Sequence, residues 1–204
     1  MKTQFLHLNK NSKELIIFFA GFASKPCHYQ HLSSKKNVLM VYDYKDLTLP
    51  KLDIKNYDKI SLIAFSMGVC VATHFLSNLS FNKKIAINGT NFGIHKEKGI
   101  PPTLFLKTIK NLKIDDFKTF LFGKHLSKTN SFEFNSEIEL KKELKSLYDY
   151  ILNTKEVNFS WDKIYASKGD LIFPNTALLA SFQECIFVNE PHFLFFYFDS
   201  WDEF

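Results

Sequence analysis

A serine hydroxyl is a poor nucleophile until a base takes its proton, and the base works only when an acid orients it. One serine of this chain stands where that chemistry needs it. The run Lys59-Ile-Ser-Leu-Ile-Ala64 has strand character, ends in Ala64-Phe65-Ser66-Met67-Gly68, and gives way at once to a helix-like run from Val69 to Leu76. A small-x-Ser-x-Gly pentapeptide between strand and helix is the sequence form of a nucleophile elbow, a sharp turn that lifts the hydroxyl above the sheet. Ala64 replaces the usual first glycine, and alanine is small enough for the turn to survive. The pentapeptide alone also occurs in ordinary turns; the flanking strand and helix single this one out.

The partners must follow in the order Ser, acid, His, and must leave the carboxyl ends of strands. Two aspartates bracket the strand-like run Lys163 to Ser167. Asp162 precedes it and falls at the wrong end of the sheet. Asp170 follows it, in Ser167-Lys-Gly-Asp170, and is the expected acid; its bland alternative is a turn aspartate after Gly169. His192, in Asn189-Glu-Pro-His192-Phe193 after the last strand, is the expected base. Read plainly, it is a capping or surface histidine. His74 lies about two helical turns past Ser66, His28 and His31 precede the serine, and His95 and His125 fall around the helical region where the lid is expected and could at most contact substrate, so none of these fits as well. Two backbone donors must hold a tetrahedral oxyanion. The Met67 N–H follows the nucleophile, and the Phe22 N–H lies in the Gly21-Phe22-Ala23 loop after an earlier strand.

The elements that would position these groups can be traced in order. Thr3 to Leu8 reads as a first strand. Leu15-Ile-Ile-Phe-Phe-Ala20 is a continuous apolar run, as in a strand buried on both faces. Val38 to Tyr42, Lys59 to Ala64, Lys84 to Asn88, Lys163 to Ser167 and Cys185 to Val188 complete about seven. The intervals after Gly21, Ser66 and Phe173 can each hold a helix. Strand–helix alternation implies a mostly parallel sheet with right-handed crossovers. Together with the elbow this gives an α/β-hydrolase fold in one domain, 1–204.

Residues 99–156 read as entirely helical. Pro101-Pro102 opens a run from Thr103 to Leu112. Asp115 and Asp116 begin a second run, which Gly123 can stop. Ser136-x-x-Glu139 is a capping-box pattern before a third, with Leu140, Leu144, Leu147 and Ile151 on one face. An insertion here is expected to be a lid over the site; the alternative is an elaborated crossover. The aromatic tail Phe193 to Trp201 is expected to form a helix on the sheet, or an interface.

Composition narrows the classes. At 204 residues, 46% of them hydrophobic, the chain can build a core with a pocket. The 23 phenylalanines imply an aromatic core. No apolar run is long enough to cross a membrane, and no signal-peptide pattern opens the chain, so a cytoplasmic protein is expected. Three cysteines without CxxC spacing and seven scattered histidines give no metal site, and no cofactor is expected. The formal charge of +5 comes from lysine without any arginine, and no recognition motif accompanies it, which argues against nucleic acid.

Six pieces, in order along nearly the whole chain, resemble the BioG-type esterases of biotin synthesis: Ala20-Gly-Phe22, Val41-Tyr-Asp-Tyr44, Ala64 to Gly68, Ala86-Ile-Asn-Gly-Thr90, Lys98-Gly-Ile-Pro-Pro102 and Pro191-His192. The resemblance implies removal of the methyl group from pimeloyl-acyl-carrier-protein methyl ester. Ser66, Asp170 and His192 would be the triad, and Phe22 with Met67 would hold the oxyanion. In the more distant BioH-type enzymes the lid supplies apolar contacts to the acyl chain. Phe117, Phe120 and Phe122 occupy a comparable segment here; otherwise they are lid packing. The implied partner is an acidic acyl carrier protein, which lid lysines such as Lys107, Lys110, Lys113 and Lys118 could meet, and a monomer is expected. Two other readings stay open: a general carboxylesterase or thioesterase, and an inactive hydrolase fold that binds acyl groups or proteins.

Overall fold

The computed structural model describes residues 1–204. Seven strands build one sheet: β1 (Lys2–His7), β2 (Glu14–Phe19), β3 (Asn37–Tyr42), β4 (Lys59–Phe65), β5 (Lys83–Ile87), β6 (Lys163–Ser167) and β7 (Ile186–Val188). Their spatial order is β1-β3-β2-β4-β5-β6-β7, with all neighbours parallel except β1, which runs antiparallel to β3 at the edge. β2 and β3 are buried at nearly every position, as their unbroken apolar runs require of parallel strands covered on both faces.

The register aligns the carboxyl ends. Phe19 pairs with Ala64, Phe65 with Ile87, Ile87 with Tyr165, and Ser167 with Val188. The loops that follow β2, β4, β5, β6 and β7 therefore leave the sheet along one rim. Four non-glycine residues have positive φ: Ala23, Asp43, Ser66 and Asn88. Each lies just past the carboxyl end of a strand. Such conformations cost roughly 1–3 kcal/mol each, and they gather where a site must be shaped.

Helix α1 (Met67–Leu76) follows β4, and α5 (Asn175–Ser181) links β6 to β7. Between β5 and β6 lie α2 (Pro102–Asn111), α3 (Ile114–Phe122) and α4 (Glu137–Asn153). The segment is less helical than the sequence suggests: Gly123–Thr129 is a 3-10 stretch, and 130–136 is not helical. Ser136 caps α4 by accepting the Glu139 N–H. The reciprocal half of the box is missing, because the Glu139 carboxylate accepts from Lys45 and Lys142 at 2.7 Å each. Leu140, Leu144, Leu147 and Ile151 are buried together on the inner face of α4.

Two expectations for helices do not hold. After Gly21 there is only the 3-10 turn Pro26–Tyr29. The sheet face it leaves is covered by side chains from both ends of the chain. The Tyr29 ring packs edge-on against Phe18 at 4.9 Å, and the Trp201 ring sits 4.7 Å from Phe18. The aromatic tail itself forms two short 3-10 turns, Leu194–Tyr197 and Trp201–Glu203. Its backbone is held extended between them, where Ser33 N–H donates to the Asp199 carbonyl and Trp201 N–H to the Ser33 carbonyl. Along this path Phe193, Phe195, Phe198 and Trp201 are buried, while Tyr197 faces water.

Glu143 of α4 is buried and accepts from the Tyr44 N–H at 3.2 Å, tying the helix to the end of β3. Burial raises its carboxyl from 4.5 to about 7, and the neighbouring Asp43 pushes the same way against the Tyr44, Ala23 and Lys45 contacts. The native state thus holds a proton that the unfolded chain releases near pH 4.5. Stability from this group is full below that value and is lost as pH rises through about 7. The loss is on the order of 3 kcal/mol. We therefore expect Glu143→Gln to gain stability over wild type by that amount between pH 4.5 and pH 8, as measured by urea unfolding at each pH. His28, whose buried ring is held down at about 4, slopes the opposite way in both proteins and cancels in the difference. A pH-independent difference would remove this assignment.

Candidate active site

The elbow forms for a steric reason. Ser66 takes φ 55° and ψ −126° between β4 and α1, and its N–H donates to the Ile87 carbonyl. A Cβ on Gly68 would fall 2.3 Å from the Ala20 carbonyl oxygen, so α1 can lie against the end of β2 only with glycine there. Ala64 is buried between Phe19 and Ala86, and its methyl is accommodated.

The other two groups come from the loops after β6 and β7. His192 Nε2 lies 2.9 Å from Ser66 Oγ, and His192 Nδ1 lies 2.7 Å from Asp170 Oδ2. Both side chains are almost wholly buried. The second carboxylate oxygen, Oδ1, accepts from the Ile172 and Phe173 N–H groups at 2.8 Å each. An ionised carboxylate only accepts, so Nδ1 carries the imidazole proton and the lone pair on Nε2 faces the hydroxyl. That arrangement suits proton removal from Ser66. Asp162 lies at the opposite end of β6, where its carboxylate accepts from the Lys84 N–H.

Met67 is the first residue of α1, so its N–H has no carbonyl to bond inside the helix. The Phe22 N–H finds no acceptor in the protein. One free donor therefore opens α1 and the other lies in the loop after β2. The Phe22 ring turns toward α3, with its centroid 5.3 Å from that of Phe117.

The hydroxyl opens onto a cavity of about 330 Å³. Its floor is Phe22, Ser66, Met67 and His192, and its roof is drawn from α2 and α3, including Leu104, Phe105, Phe117, Phe120 and Leu121. Phe117 and Phe120 were expected here. Phe122 was too, but it is fully buried on the far side of α3 against Phe132 and Phe193. Helical geometry explains the split: at about 100° per residue, positions 117, 120 and 121 share a face and 122 stands well round from it. Leu121 lines the cavity in its place, and its i, i+4 spacing from Phe117 is the sequence signal for it.

Of the four lysines, Lys107 and Lys113 line the cavity, with Asn111 and Asp116. Lys110 does not reach it, and Lys118 is drawn off toward Asp115 and the Phe134 ring. The remaining histidines are occupied elsewhere. His28 pairs with the Glu133 carbonyl, His31 with that of Phe195 and His125 with Glu190, while His95 accepts from its own loop. His74 packs beside Tyr150.

Sheet order, elbow and cavity define an α/β-hydrolase fold. Among solved structures, an alpha/beta hydrolase fold protein from Chitinophaga pinensis superposes with a TM-score of 0.58 at 11% identity, covering 96% of this chain and 88% of that one. The model of one family, described as pimeloyl-ACP methyl esterase BioG, matches residues 1–204. The chain belongs to the BioG family. Selenomethionyl BioG from Haemophilus influenzae is similar over 100% of this chain and 99% of its own, with a TM-score of 0.91 and 28% identity. A malonyl-[acyl-carrier protein] O-methyltransferase of Bacteroides fragilis (strain 638R) is 33% identical over 175 residues, or 79% of this chain and 35% of that protein. The chain thus spans about a third of the length of that relative. No helix is long and apolar enough to cross a membrane.

Proposed function

We propose that this chain is a serine carboxylesterase that hydrolyses the methyl ester of a pimeloyl group borne by acyl carrier protein, in the cytoplasmic synthesis of biotin. The observation that carries the reading is the unbroken line of hydrogen bonds from Asp170 through His192 to Ser66, ending at an apolar cavity. Membership of the BioG family supports this choice of substrate.

His192, oriented by Asp170, takes the Ser66 proton as the oxygen attacks the ester carbonyl. The Met67 and Phe22 N–H groups receive the oxyanion. Methanol leaves with the proton from His192, and water then cleaves the acyl-enzyme with the same base. The methylene chain lies along Phe117, Phe120 and Leu121 beneath α2 and α3, which act as a lid. Its thioester end points to the mouth, where Lys107 and Lys113 meet an acidic carrier.

The methyltransferase name belongs to a relative of which this chain matches 35%, and methyl transfer can reside in the unmatched remainder. In this reading the two reactions are opposed: one makes a methyl ester on a carried acyl group, and the other removes it.

The test compares kcat/KM for carrier-bound pimeloyl methyl ester, an aryl acetate and an acyl thioester. The carrier-bound ester should lead by a factor of ten or more. Equal rates would mean a general carboxylesterase or thioesterase. No turnover, with Ser66 unlabelled by a fluorophosphonate, would mean an inactive binding module.

The rim lysines supply a separate prediction. Lys107→Glu/Lys113→Glu should raise KM for the carrier-bound ester about tenfold at low ionic strength and leave the aryl ester unaffected, because rim charges act on encounter. The difference should shrink in 0.5 M salt, at roughly a 4 Å screening length. An equal loss on both esters would place these lysines in the chemistry instead.

A further inference from the structure

We propose that Asn88 is the positioning residue that holds His192 against Ser66, a role that rests on the esterase reading. Asn88 follows β5 with φ 47° and is fully buried. Its Nδ2 donates to the His192 carbonyl at 2.7 Å and to Ser167 Oγ at 2.8 Å, while its Oδ1 accepts from the Ser167 N–H at 2.7 Å. The orientation of the amide is forced from both ends: a backbone N–H faces the oxygen and a carbonyl faces the nitrogen.

The same turn grips the nucleophile. Ser66 N–H donates to the carbonyl of Ile87, the residue before Asn88. On its other side, a Cβ on Gly89 would lie 2.2 Å from the Ser66 carbonyl oxygen. Residues 87 and 89 thus set the backbone of Ser66, and residue 88 sets the backbone of His192. The 2.9 Å contact between imidazole and hydroxyl is fixed through one three-residue turn.

Only an amide meets these demands. A carboxylate at position 88 would still accept from Ser167 but would set an oxygen against the His192 carbonyl. A glycine would keep the backbone conformation and lose all three bonds. Ser167 offers the control: without its hydroxyl, Asn88 loses one partner yet still holds His192.

The experiment compares wild type, Asn88→Asp, Asn88→Gly and Ser167→Ala in aryl-ester hydrolysis, fluorophosphonate labelling of Ser66, and the low-field proton resonance of the His192–Asp170 hydrogen bond. Displacing a reacting group by an ångström costs about 100-fold. Both Asn88 variants should therefore lose about 100-fold in kcat with KM nearly unchanged, label slowly, and show the resonance shifted or lost. Ser167→Ala should stay near wild type in all three. If Asn88→Asp fails to fold around its buried charge, Asn88→Gly decides. Folded Asn88 variants with wild-type kcat and resonance, or a Ser167→Ala loss as large as theirs, would overturn the proposal. A wild type that neither hydrolyses nor labels would instead overturn the esterase reading, and the resonance would still report on Asn88.

Discussion

Asp170→Asn should fold normally and lose about 10⁴-fold in kcat at neutral pH. The structure gives the loss a specific cause. Oδ1 of Asp170 faces two backbone donors, the Ile172 and Phe173 N–H groups, which an amide can satisfy only with its oxygen. Its NH₂ is then driven to the Oδ2 position, 2.7 Å from His192 Nδ1. Two donors cannot share that contact, so Nδ1 must give up its proton and Nε2 must carry it. The imidazole then presents a donor to Ser66 and cannot act as base. Asp170→Ala should be as inactive but less stable, because two buried N–H groups lose their acceptor, at about 1–3 kcal/mol each. Ester kinetics and thermal unfolding of the two variants check both halves. Loss in Asp170→Asn below tenfold would mean that the carboxylate does not govern the tautomer.

By the mechanism proposed above, Ser66→Ala should lose on the order of 10⁶-fold in kcat, since His192 then has no hydroxyl to activate. Ser66→Gly should be equally inactive but more stable than the alanine variant by about 1 kcal/mol, because φ 55° with ψ −126° penalises any Cβ and not glycine. Urea unfolding of the two inactive variants measures the strain the elbow stores. If alanine is the more stable, the turn is unstrained and the hydroxyl is not held up by backbone geometry.

The sheet could be read from the sequence because its strands are apolar runs of the right length with turn residues behind them, from Leu15 to Ala20 and from Lys59 to Ala64. Asp170 could be preferred to Asp162 because direction along a parallel sheet separates the two before any contact is known, and it is Asp170 that hydrogen-bonds His192. Contacts between distant segments could not be read. The tail rings replace a helix after Gly21 because Phe18 offers them a face, and nothing local in either stretch says so. Phe122 looked like Phe117 and Phe120 by type and differs only by its angle round α3. Asn88 stood in a recognised motif, but its use depends on a carbonyl 104 residues away.

Methanol release from pimeloyl-carrier-protein methyl ester, followed for wild type and Ser66→Ala side by side, probes nucleophile and substrate together. Wild type should release one methanol per ester consumed, and Ser66→Ala none above background. Undiminished release by the alanine variant would mean that Ser66 is not the nucleophile.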